Sequence, residues 1–131
     1  QGRTTTKVSI PTASVLTLNT IPIEAIPSPG IGYAIVVEKV IGYIAYVAPV
    51  YATNVNLQLF YETAGDAIVE SSLLLVKTTT AYQELPFLYT IAAGTVQIVE
   101  NEAVSIRVET GDPTLGNSDI AIYITWSLIQ V

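Results

Sequence analysis

The acidic side chains are the first residues whose spacing could do chemistry, and they fall into two groups. Glu100 and Glu102 flank Asn101, while Asp112, Asn117 and Asp119 surround the segment from Gly111 to Ser118. Two converging carboxylates can hydrolyse a glycosidic bond, and an oxygen-rich loop can hold calcium. The second spacing does not match an EF-hand loop, and Asx residues serve turns through their own local hydrogen bonds. The other acids sit mostly at strand ends and turns, where a solvated carboxylate is the plain reading. His, Cys and Met are absent. A Ser–His or Cys–His pair is therefore impossible, and zinc lacks its preferred ligands. A Ser–Lys pair stays formally open, with no spacing to support it. The expectation is a chain that is not an enzyme, with no catalytic residue, cofactor or metal.

Recognition is the other chemistry on offer. There are eight tyrosines, and Tyr33, Tyr43, Tyr46 and Tyr51 lie close together in the middle of the chain. Tyrosine joins apolar area to a polar tip and is enriched at interfaces, but it also simply fills strand positions. Both readings stand. Trp126 shares a strand face with Ile122 and Ile124, which marks it as core. The segment from Gln1 to Lys7 is polar and carries two of the five cations, Arg3 and Lys7. Such an arm could be disordered, or could lie over a neighbouring subunit and add a strand to its sheet. Arg3, Thr4, Thr5, Thr6, Lys7, Tyr33, Tyr43, Tyr46 and Tyr51 are thus the candidate interface residues.

The elements that would position these residues are strands. Apolar side chains alternate in Ala103–Glu109 and again in Asp119–Val131, where Ile120, Ile122, Ile124, Trp126 and Leu128 share a face. In Asn54–Glu62, Val55, Leu57, Leu59 and Tyr61 point inward, and Asn56, Gln58 and Glu62 outward. Gly32–Val47 is apolar on both faces, with Gly42 as a candidate bulge. Lys7–Ile10, Val15–Asn19, Pro22–Ile26 and Thr95–Glu100 are further strands. Val69–Thr78 reads equally as strand or short helix. Turns are marked by Pro27-Ser28-Pro29-Gly30, Ala64-Gly65-Asp66 and Ala93-Gly94. The segment from Gly111 to Ser118 reads as a loop between two antiparallel strands.

These signals predict an all-β chain: an antiparallel, jelly-roll-like β-sandwich of about eight or nine strands. Residues 1–14 form the arm and first strand, and residues 15–131 a single sandwich domain.

Composition narrows the partners. Apolar residues make up 50% and charged residues 12%, against about 25% charged in ordinary soluble domains. Part of the surface is expected to be buried against other chains. The net charge is −6 with scattered cations, which argues against nucleic acid and anionic membrane surfaces. Val40–Tyr61 is uncharged and long enough to span a bilayer, but Pro49, Asn54, Asn56 and Gln58 interrupt it, so no membrane partner is expected. The chain begins at Gln1 rather than Met, which suggests proteolytic processing.

Val15–Glu24 leading into Ala25–Gly30, then Ile35–Val40, Asn56–Tyr61 and the strand from Ile120, together resemble the small β-sandwich proteins encoded among tailed-bacteriophage structural genes. Some of those look like capsid decoration or cement proteins. The resemblance runs from about Val15 onward. It implies a jelly-roll-like subunit, often trimeric, on a capsid lattice, with no catalytic residues to carry over.

Three functions follow as expectations. The first is a virion-surface decoration or cement subunit, with itself and a major capsid protein as partners. The second is an extracellular filament subunit in which the arm completes the next subunit's sheet. The third is a carbohydrate- or receptor-binding module that uses the tyrosines as a platform.

Overall fold

A computed structural model describes residues 2–65, 67–88 and 98–131. Among them, eight strands follow in chain order: β1 (Thr4–Ile10), β2 (Ile23–Ile26), β3 (Tyr33–Ala45), β4 (Leu57–Tyr61), β5 (Ala67–Ser71), β6 (Ala81–Glu84), β7 (Val104–Val108) and β8 (Asp119–Gln130). A single helical turn, α1 (Thr12–Val15), follows β1. One sheet has the order β1-β8-β3-β6 and the other β2-β7-β4-β5, and every pairing is antiparallel. The pairs β1/β8, β2/β7, β3/β6 and β4/β5 mate the first half of the chain with the second in reverse order. That is one long two-stranded ribbon rolled into two facing sheets, the topology of a jelly roll.

The core lies between the sheets. Ile10, Ile35, Val40, Ile44, Ile120, Ile122 and Ile124 of the first sheet meet Ile26, Leu57, Leu59, Tyr61, Ile68, Val104, Ile106 and Val108 of the second, all almost fully buried. Burying one such aliphatic side chain stabilises by about 1.5–3 kcal/mol. The period-two pattern therefore fixes which face of each strand turns inward. Trp126 packs at the margin of this core, and its indole N–H donates to Thr6 Oγ1 at 2.9 Å.

Several sequence expectations are corrected. The span Val15–Asn19 is not a strand. Val15 ends α1 and Leu18 lies in the following turn, and both are buried because residues three apart share one side of a helical turn. The β3 bulge falls at Glu38, where the register to β8 shifts between Val37 and Lys39. Gly42 instead makes room for the second layer, since a Cβ there would stand 2.6 Å from Leu74 Cδ2. The ambiguous span after Val69 is the end of β5 followed by turns. The expected strand Thr95–Glu100 lies partly outside the described residues. Its described end shows only a single bridge from Glu100 to Ala34. The turn at Ala93-Gly94 also lies outside them, as does Asp66. The loop from Gly111 to Ser118 joins β7 to β8, but those strands lie in different sheets, so it crosses the sandwich rather than closing a hairpin.

Residues Thr4–Lys7 do not form a separate arm. They pair in register with Trp126 to Tyr123 of the same chain, and Arg3 Nε forms an ion pair with Glu38. Bonds from Ser127 and Arg3 hold the Glu38 carboxyl below the usual range. The polar appearance of the segment reflects its position as an edge strand with one face in solvent.

Candidate functional site

Antiparallel alternation sends the loops β1–β2, β3–β4, β5–β6 and β7–β8 to one end of the sandwich. All four are tied together by direct hydrogen bonds. Asp112 Oδ1 accepts the backbone N–H groups of Asn19 and Thr20, both at 2.9 Å, and Oδ2 accepts the Thr20 hydroxyl at 2.6 Å. These bonds hold the Asp112 carboxyl below the usual range. Ala52 and Thr114 exchange backbone bonds at 2.9 and 3.0 Å. Ser118 Oγ accepts from Val47 N at 2.8 Å and donates to Val47 O at 3.1 Å. The β5–β6 loop joins them through Thr80 Oγ1, which accepts Tyr46 N–H at 3.0 Å.

Tyr51 is the plug of this end. It is fully buried, so of the two readings open for it the interface one is corrected. Its hydroxyl donates to Ser118 O, and burial pushes its pKa up. Its ring lies so close to Gly116 that a Cβ there would fall 2.0 Å from Tyr51 Cδ1. On this braced frame, Ile21, Val47, Leu73, Val76 and Leu115 are exposed, from 37% for Val76 to 70% for Leu115. Rigid loops that hold aliphatic side chains in water are suited to meeting another protein surface.

The carboxylates singled out for chemistry all accept backbone N–H groups. Asp119 Oδ1 accepts the Thr12 backbone N–H at 2.9 Å, at the start of α1. At the opposite end, Glu100 accepts Gly32 N–H at 2.7 Å and Asn101 Oδ1 accepts Gly30 N–H at 2.9 Å. Glu102 accepts Thr63 and Ala64 N–H at 2.7 and 2.9 Å. Asp112, Asp119, Glu100, Asn101 and Glu102 each tie their own segment to another one, while Asn117 is exposed. No group of three or more acids placed to hold a metal ion occurs among the described residues. No helix among them is long and apolar enough to cross a membrane.

The outer faces of the two sheets differ. That of β2-β7-β4-β5 is closed by its own side chains, so Gln58, expected in solvent, is only 4% exposed. Gln58 donates to Glu70 at 2.7 Å and accepts from Arg107 Nε at 2.8 Å. The Arg107 guanidinium lies 4.1 Å from the centre of the Phe60 ring. The outer face of β1-β8-β3-β6 instead presents tyrosines. Tyr43 pairs across strands with Tyr82, with ring centres 4.7 Å apart, and Tyr82 lies 6.4 Å from Tyr123. Lys7 Nζ stands 5.7 Å from the Tyr123 ring centre, within cation–π range.

Of the four tyrosines named as candidate interface residues, only Tyr43 belongs to this face group. Tyr46 is half-buried beside the stitched loops. Tyr33 is exposed at the start of β3, toward the opposite end. Thr5 and Lys7 border the face, and Thr6 turns toward Trp126. Sequence reasoning missed Tyr82 and Tyr123 because β6, β3 and β8 are far apart in the chain. Alternation did place Tyr123 opposite the Ile120–Ile124 face, but nothing local says which strands become neighbours.

The class defined by this topology is a jelly roll, with eight strands among the described residues. No protein-family model matches the chain, and no curated protein matches it. Among solved structures, it is similar to a chain of the cyanophage Pam1 capsid asymmetric unit, with a TM-score of 0.53 at 14% identity, covering 95% of this chain and 82% of that one. The likeness is one of fold.

Proposed function

We propose that this chain is a structural subunit of a virion surface, docking on a capsid lattice as a decoration or cement protein and associating with copies of itself. The observation that carries the reading is the stitched loop end. Five exposed aliphatic side chains are held there on a braced frame, in a jelly roll whose fold a capsid chain shares. The charge-poor composition accords with burial of part of the surface in an assembly. A subunit that binds only the assembled shell stabilises it by mass action. Thermal melting of assembled shells with added chain is the test. The expected result is a rise in shell melting temperature that disappears with Ile21→Asp/Leu115→Asp. No shift at saturating chain removes the proposal.

Thr4–Ile10 pairs with β8 of its own chain, which supports the decoration reading over a filament built by insertion of that segment.

A further inference from the structure

The tyrosine face has a shape that the loop end lacks. Two shallow depressions, about 390 and 350 Å3, lie side by side on it and share Tyr82 and Tyr123. The larger is bordered by Lys7, Ser9, Tyr43 and Asp119, the smaller by Thr5, Ile41 and Thr125. Tyr82 and Tyr123 therefore form a ridge with a basin on either side. Each basin has an aromatic wall and a rim of hydroxyls, and the larger adds an ammonium and a carboxylate. Both volumes fall near the lower end of the range for small-molecule sites.

That combination matches the chemistry of a pyranose. The C–H face of the sugar packs on a ring, and its hydroxyls need donors and acceptors around the edge. Two basins astride one ridge match consecutive units of a chain rather than a lone monosaccharide. Charge selects further. By strand alternation, this face carries three of the five cations (Arg3, Lys7 and Lys39) and three of the eleven acids (Glu38, Glu84 and Asp119). The face is balanced while the chain as a whole is at −6, so an uncharged ligand suits it and a polyanion meets net repulsion. The exposed aliphatic residues that would anchor a protein lie at the ends of the sandwich, and Tyr82, at 67%, is the large hydrophobic residue exposed on the face among the described residues.

We infer that the outer face of β1-β8-β3-β6 binds a neutral oligosaccharide, with two consecutive sugar units seated on either side of the Tyr82–Tyr123 ridge. This site is separate from the docking surface proposed above and can stand or fall without it.

The probes are cellohexaose, maltohexaose and chitohexaose, titrated into the intact chain by calorimetry, with tyrosine ring shifts followed by NMR. At least one is expected to bind with a dissociation constant between about 10 μM and a few mM. The corresponding disaccharide should bind at least about tenfold more tightly than the monosaccharide. Tyr82→Ala, on an exposed edge strand, is expected to weaken binding about tenfold or more, and Tyr46→Ala to leave it unchanged. Silence from all three hexaoses at about 10 mM overturns the inference, as does binding that Tyr82→Ala and Tyr123→Ala both leave intact. If Tyr82→Ala abolishes shell binding while no sugar binds, the face is a protein contact and the inference fails.

Discussion

Replacing Gly116 with Ala tests whether the loop end is as tightly braced as its contacts imply. A Cβ at Gly116 would lie 2.0, 2.2 and 2.3 Å from three ring carbons of Tyr51. These atoms belong to a buried ring whose hydroxyl is tied to Ser118 O, so the ring cannot swing into solvent. Overpacking of this kind costs about 1–3 kcal/mol. If the ring yields, the buried hydroxyl bond goes with it, at about 1–3 kcal/mol more. The expected loss when both act is about 2–6 kcal/mol, a large share of the roughly 5–15 kcal/mol that holds a domain together. The melting temperature should fall by on the order of 10 °C. Urea unfolding of the single variant measures the loss. Repeating the change in a Tyr51→Leu background identifies its cause, because without the ring the added methyl should cost less than about 1 kcal/mol. The reasoning is refuted if Gly116→Ala stays within about 0.5 kcal/mol of the parent, or if the loss is equal in both backgrounds.

Other perturbations probe the remaining contacts. Asp112→Asn keeps the shape but removes the charge that accepts three bonds, and should lower the melting temperature at neutral pH. The folded chain holds the Asp112 carboxyl below its unfolded value, so its contribution is full above the ordinary carboxylate range and lost as pH falls through the depressed value. The gap between parent and Asp112→Asn should therefore close below about pH 4 in paired melting curves; a gap constant with pH contradicts this. Arg107→Ala uncovers Phe60 and strands Gln58 Oε1, with an expected loss of about 1–3 kcal/mol by urea unfolding. Gly42→Ala meets the buried side chain of Leu74, with its Cδ2 2.6 Å away, and should cost about 1–3 kcal/mol by urea unfolding.

The strands were the legible part of the sequence. Alternation in β4, β7 and β8 named the inward residues, because a half-buried strand must place its apolar groups two apart. Val15–Asn19 reads as a strand because Val15, Leu16 and Leu18 are few enough to fit either period, whereas Val15 and Leu18, three apart, are the pair that is buried in the turn. By residue type Gly42 is the candidate bulge, yet Glu38 occupies it, held by Arg3 just before β1 and by Ser127 of β8. Gln58 read as solvent-facing because its cover, Arg107 and Glu70, comes from neighbouring strands. The same limit applies to the candidate sites. Tyr43, Tyr82 and Tyr123 meet only after the ribbon rolls up, and Tyr51, close to Tyr43 and Tyr46 in sequence, turns into the core.

Cosedimentation with assembled capsid shells tests the virion reading most directly, with the parent chain and Ile21→Asp/Leu115→Asp run side by side. The account expects the parent to pellet with the shells at a fixed, saturable ratio to lattice sites, and the double variant, folded to the same degree, to stay in solution. A parent chain that remains in the supernatant at saturating concentration, or a double variant that pellets equally well, contradicts it.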